Sequence, residues 1–141
     1  MLLQDPGRVL PLSLAATAAA AALPRVEGAI RSIALVGPNA GCDPSAASRA
    51  SCAASEAAAG GYHPPLAPGQ VVTALDAFRR RAPSTMNITY AKGVDALGSD
   101  TSGITHAAAL AAAADVAVVV LGDGAGTCGE AMDRMEVRVC V

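Results

Sequence analysis

Apolar positions cluster into three short runs, separated by two stretches at helical spacing. Residues 33–37, IALVG, form a run closed by Gly37-Pro38-Asn39, which reads as a buried strand entering a turn. Residues 87–91, NITYA, form a second strand, and residues 116–121, in DVAVVVLG, the strongest one. The unbroken β-branched run at 116–121 predicts burial on both faces, as in a central parallel strand covered by helices. Between the runs, Val71, Leu75, Phe78 and Ala82 recur at helical spacing and predict a helix over 70–82, stopped by Pro83. Arg79, Arg80 and Arg81 crowd its last turn, where positive charge complements the helix dipole and reads as a solvated end. A further helix is expected over 104–114, with Ile104, Ala108, Leu110 and Ala111 inward and Ser102 or Thr105 as its cap. A weak helix near 44–59 leads into a loop marked by Gly60-Gly61 and Pro64-Pro65. Strand, helix, strand, helix, strand predicts an α/β fold with a mainly parallel sheet flanked by helices. Three strands are too few for a complete doubly wound domain, so the sheet reads as incomplete.

Composition thins this picture. About a quarter of the chain is alanine, and Leu, Ile, Val and Phe together make up about a fifth. With one Phe, two Tyr and no Trp, the core is short of large side chains, and stability is expected to be marginal. Segments 15–29 and 41–69 bury few large groups, so little offsets the cost of ordering them. The net charge of −2 excludes a strongly basic nucleic-acid binder and an acidic solvating tail. No apolar run reaches the roughly 18 residues that a membrane span needs.

The four cysteines, Cys42, Cys52, Cys128 and Cys140, contain no C-x-x-C pair, which argues against a zinc ribbon or a thioredoxin-type site. Free thiols and a bridge both remain open, with Cys42–Cys52 the nearest pair for a bridge. Leu12 to Leu23 has the apolar, small-residue character of a leader peptide. Its flank holds Asp5, Pro6 and Gly7 with Arg8 as the one basic group, which favours an Ala-rich insertion in a connecting segment. Residues 1–32 are therefore read as lead-in plus insertion, and 33–141 as the α/β unit. Asn87-Ile88-Thr89 is a glycosylation sequon, relevant only to a secreted chain.

Ligands of open α/β sheets bind beyond the carboxyl ends of the strands. Beyond the run at 116–121 lies Gly122-Asp123-Gly124-Ala125-Gly126-Thr127-Cys128-Gly129-Glu130. Residues 124–129 form a formal G-x-G-x-x-G, but it follows the last strand rather than the first, and no P-loop lysine accompanies it. No cofactor or metal is read from the sequence. Glu130 is a candidate general acid if a partly apolar pocket raises its pKa, with Asp133 and Arg134 nearby as a structural partner and a fixed cation.

Several segments, in order, resemble family 3 glycoside hydrolases, the β-glucosidases and β-xylosidases. LLQDPGRVLPLS at 2–13 resembles the segment leaving the family's catalytic barrel. IALVGPNA at 33–40 resembles the first strand and turn of its C-terminal α/β sandwich domain, and GGYHPP at 60–65 stands at a Gly-Asn-Tyr-like loop. VVTALDAF at 71–78 and ITYAKGVD at 88–95 resemble the next helix and strand. ADVAVVVLG at 114–122 and GEAMDR at 129–134 resemble the strand leading into the active-site loop. The resemblance implies a barrel Asp nucleophile and a sandwich Glu acid/base from a Glu-x-x-Asp-Arg loop, which Glu130, Asp133 and Arg134 match. It implies a β-glycoside or oligosaccharide substrate in the full-length context, a retaining mechanism, and a secreted or extracellular setting.

A barrel takes about 250 residues, so barrel and nucleophile are missing here and the chain is expected to be an inactive fragment. YAKGVD followed by SDTSGI leans toward xylosidase-type members. Two readings compete with the glycosidase fragment: a non-catalytic sugar-binding or assembly module, and a nucleotide-binding α/β domain built on the glycine loop.

Overall fold

The computed structural model describes residues 30–42, 52–59, 67, 70–95 and 99–122. Its elements, in chain order, are β1 (Ser32–Val36), α1 (Ala53–Ala59), α2 (Ala74–Arg81), β2 (Asn87–Ala91), α3 (Ile104–Ala113) and β3 (Val116–Val119). The three strands form one all-parallel sheet in the order β2-β1-β3. Register is continuous, with Ile33 opposite Ile88 on one side and Val116 on the other. The α/β class read from the sequence is thus the fold observed.

The sheet centre lies elsewhere than the sequence pattern predicts. Among the described residues β1 is flanked on both sides, and its Ile33, Ala34 and Leu35 are fully buried. Among the described residues β3 is an outer strand with alternating burial, and its Val119 is 60% exposed. The expectation that 116–121 forms the two-face-buried central strand is corrected. An apolar run raises the tendency to bury, but pairing order decides which strand has neighbours on both sides, and order is a tertiary property.

The main core packs Ile33, Leu35 and Ala40 against Leu75 of α2, with Phe78, Ile88, Tyr90, Val116 and Val118 partly buried around them. Burying the whole Leu75 side chain contributes about 1.5–3 kcal/mol. Alternate residues of the strands, Ala34, Val36 and Ala91, are buried on the opposite face. α3 lies against β1 and β2.

Helix boundaries differ in detail from the periodicity. α2 begins at Ala74, not 70, because Thr73 and Asp76 form a capping box. Thr73 Oγ1 accepts from the Asp76 N–H at 3.2 Å, and the Thr73 N–H donates to Asp76 Oδ2 at 3.4 Å. Val71 therefore precedes the helix, and Ala82 is its extended C-cap, just before Pro83. α3 carries no side-chain cap: Gly103 is its N-cap, while the Ser102 N–H donates to Asp100 Oδ1 at 2.9 Å. Its half-buried positions are Ala107, Leu110, Ala111 and the C-cap Ala114, whereas Ile104 and Ala108 are exposed. In an alanine-rich helix the apolar pattern is nearly uniform, so it does not identify the packed face.

A disulfide joins Cys42 to Cys52, with the Cα atoms 5.6 Å apart. It ties the start of α1 to the segment after β1, where Cys42, Ala54 and Ser55 are buried. Part of 41–69 is therefore packed despite its small side chains, the covalent link standing in for a large apolar anchor. Cys128 and Cys140 lie outside the described residues, as do 15–29.

Candidate active site

The carboxyl end of the sheet is built around the turn that follows β1. Gly37 adopts φ +117°, and a Cβ there would run into the Val120 carbonyl. Only glycine meets both demands, which lets the turn close against the end of β3. The Gly37 N–H donates to the Ala91 carbonyl at 3.1 Å, joining the turn to β2. On the other side, the Val120 N–H donates to the Val36 carbonyl at 2.9 Å, and the Asn39 N–H to the Val120 carbonyl at 3.4 Å. The ends of all three strands are thereby locked into one rim.

The turn also receives α2. The Leu75 N–H, an otherwise unpaired first-turn donor, bonds the Ala40 carbonyl at 2.8 Å. The Tyr90 hydroxyl donates to the Gly41 carbonyl at 2.8 Å. A side chain at Gly41 would come within 2.5 Å of the Leu75 Cβ, so helix and turn approach closely only because that residue is glycine.

β1 connects to β2 on one side and β3 lies on the other, so the rim between β1 and β3 is a topological switch point, where α/β sheets bind ligands. Asn39 occupies this position. A Cβ added at Gly122, where the glycine loop begins, would lie 3.0 Å from Asn39 Nδ2. Asn39 Oδ1 is buried and has no hydrogen-bond partner among the described residues. A buried, unpaired acceptor costs about 1–3 kcal/mol. In the sequence Asn39 reads only as part of the turn Gly37-Pro38-Asn39.

Gly122 is described, whereas Asp123, Glu130, Asp133, Arg134 and the glycines at 124, 126 and 129 lie outside the described residues. Arg79, Arg80 and Arg81 are exposed at the end of α2, away from this rim in the chain. Among the described residues no group of His, Cys, Asp or Glu is arranged to hold a metal ion, and no helix is long and apolar enough to cross a membrane.

The opposite end of the sheet carries its own polar knot. Asp115 Oδ2 accepts from the Arg31 N–H at 2.8 Å, the Ser32 N–H at 2.8 Å and the Ser32 hydroxyl at 2.9 Å. The Arg31 N–H above all, then Ser32, holds the Asp115 carboxyl below its ordinary pKa. Asp100 is likewise held low, chiefly by the Ser102 N–H. Asp115 sits at the amino end of the sheet, away from the switch point, and Asp100 lies in the connection between β2 and α3; both read as structural.

The family model for the glycosyl hydrolase family 3 C-terminal domain matches residues 1–140. No curated protein and no solved structure matches the chain.

Proposed function

This chain belongs to the glycosyl hydrolase family 3 C-terminal domain family, and from that premise we propose that it is the sandwich part of a retaining β-glycosidase. Its substrates are β-linked O-glycosides of the β-xyloside or β-glucoside type, with the xyloside side favoured by YAKGVD and SDTSGI. Residues 33–141 form the partial sandwich and 1–32 the lead-in with its Ala-rich insertion. Glu130 is the acid/base: it protonates the leaving oxygen, then takes a proton from the incoming water.

The observation that carries this reading is the family match over residues 1–140, a span that includes Glu130-Ala131-Met132-Asp133-Arg134. The fold supports it. The segment leading to Glu130 departs from β3 at the rim between β1 and β3, and glycines at 122, 124, 126 and 129 give it the freedom to reach away from the sheet.

Double displacement needs two carboxyl groups roughly 5–5.5 Å apart on opposite sides of the sugar. The nucleophile belongs to a barrel of about 250 residues, more than this sequence holds. The 141-residue chain by itself is therefore inactive. The test is incubation of the purified chain with aryl β-xyloside and aryl β-glucoside, then again after fusion to a related family 3 barrel. No turnover is expected alone, and turnover is expected with the barrel. Turnover by the chain alone, above a Glu130→Gln control, would remove the two-part assignment. Sugar binding without turnover in the fusion would favour a non-catalytic sugar-binding module instead.

A further inference from the structure

We infer that Asn87 carries an N-linked glycan, received in an oxidising secretory lumen before β2 pairs with β1. Two independent observations meet here. The first is the sequon Asn87-Ile88-Thr89, which supplies the acceptor amide and the hydroxyl two residues on that glycan transfer requires. The second is the Cys42–Cys52 disulfide, a bond that forms and persists in the same kind of compartment and is rare in reducing ones.

The fold then leaves room for the sugar. Asn87 is the first residue of β2 and is exposed, whereas Ile88 packs on the core. Its backbone N–H is held by the Arg31 carbonyl at 2.8 Å, so the main chain is fixed. Among the described residues β2 pairs only with β1, and Asn87 begins its outer, unpaired edge. A bulky hydrophilic group there blocks edge-to-edge association of the kind that open strands invite.

Timing follows from Thr89. In the folded chain its hydroxyl donates to the Ile33 carbonyl at 3.5 Å, across the β1–β2 pair. Pairing with β1 holds this segment extended and turns the hydroxyl toward the Ile33 carbonyl, so the unpaired strand is the better acceptor. The donor is a lipid-diphosphate-linked oligosaccharide. The bond from Asn87 Nδ2 to the anomeric carbon forms, the bond from that carbon to the diphosphate oxygen breaks, and the amide loses one proton as the lipid diphosphate leaves. No oxidant or reductant takes part.

The experiment is a peptide map of the protein recovered from the cells that make it. Cleavage after Arg81 and Lys92 releases residues 82–92, APSTMNITYAK. The expected result is that this peptide is absent at its unmodified mass and is recovered free of sugar only after treatment with an amidase that removes N-glycans, then slightly heavier because Asp stands in place of Asn87. Quantitative recovery of the unmodified peptide without the amidase would overturn the inference. In a secreting eukaryotic host, Asn87→Gln and Thr89→Ala should abolish the gel shift, and Thr89→Ser should keep it. A shift that survives Asn87→Gln would also overturn it. The peptide map uses no variant, so it decides even where a substituted chain fails to fold.

Discussion

Ser32 and Asp115 hold each other through both backbone and side chain, though 83 residues separate them. The Ser32 N–H and hydroxyl donate to Asp115 Oδ2 at 2.8 and 2.9 Å, and the Asp115 N–H returns a bond to Ser32 Oγ at 2.9 Å. This clamp sets the register of β1 against β3 at the amino end of the sheet, one residue before Ile33 meets Val116.

Acid should loosen that clamp. The carboxyl of Asp115 is held below its ordinary value of 3.8, so its contribution is complete above the carboxylate range and is lost as pH falls through the folded-state value. Urea midpoints measured from neutral to strongly acid pH should therefore fall further for the wild type than for Asp115→Asn. The two curves should converge at the acid end. Parallel curves would show that the clamp contributes nothing that titrates.

Reduction of the Cys42–Cys52 bridge should cost about 2–3 kcal/mol, the range expected for closing a short loop. The bridge spans 10 residues. Cys42→Ser together with Cys52→Ser should reproduce the effect of reductant, measured as a shift of the denaturation midpoint. If reductant destabilises the wild type but also the double variant, another pair of cysteines is responsible.

The capping box predicts graded losses at Thr73. Thr73→Ala should lower stability by about 1 kcal/mol, and Thr73→Ser by much less, since serine keeps the oxygen that accepts from the Asp76 N–H. Equal losses in the two variants, read from midpoint shifts, would mean that the methyl group rather than the cap is what matters.

Amide exchange should be slowest in β1. Its Ile33, Ala34 and Leu35 are fully buried and flanked by strands on both sides. The amides of β3 should open sooner despite the stronger β propensity of that run. Greater protection at 116–119 than at 33–36 would return the sheet centre to the position its hydrophobicity suggested.

Glu130 is tested in the barrel fusion by leaving-group dependence. Glu130→Gln should harm substrates with poor leaving groups most, because those need protonation in the transition state, and activated aryl glycosides less. Azide should rescue Glu130→Ala where deglycosylation limits, since an anionic nucleophile needs no base. Should Asp123→Asn show this pattern and Glu130→Gln not, the proton donor is Asp123.

The parts of this fold that could be read in advance are those set by local pattern. Each strand core, at 33–36, 87–91 and 116–119, was visible as an apolar or β-branched run. What stayed hidden depends on chain segments far apart in sequence. Nothing in VAVVV distinguishes an outer strand from a central one, and nothing in ITHAAALAAA tells Ala107 from Ala108, because every alanine offers the same small apolar surface. Asn39 is hidden for the same reason. A turn residue normally faces water, whereas here the turn is bonded to the end of β3 and the amide oxygen is buried. Glu130 and its loop were identified by motif and family resemblance.

The position of β1 at the middle of the sheet has a consequence for how the chain emerges during synthesis. Of the three described strands the most buried is made first, yet its nearest pairing partner, Asn87 opposite Ser32, is 55 residues further along, and Val116 comes later still. At a ribosomal rate of about 5–20 residues per second, β1 waits on the order of seconds with both edges open. During that interval Ile33, Leu35 and Val36 are available to any passing hydrophobic surface. The nascent protein is thus most vulnerable to aggregation through the very strand that the finished fold shields best.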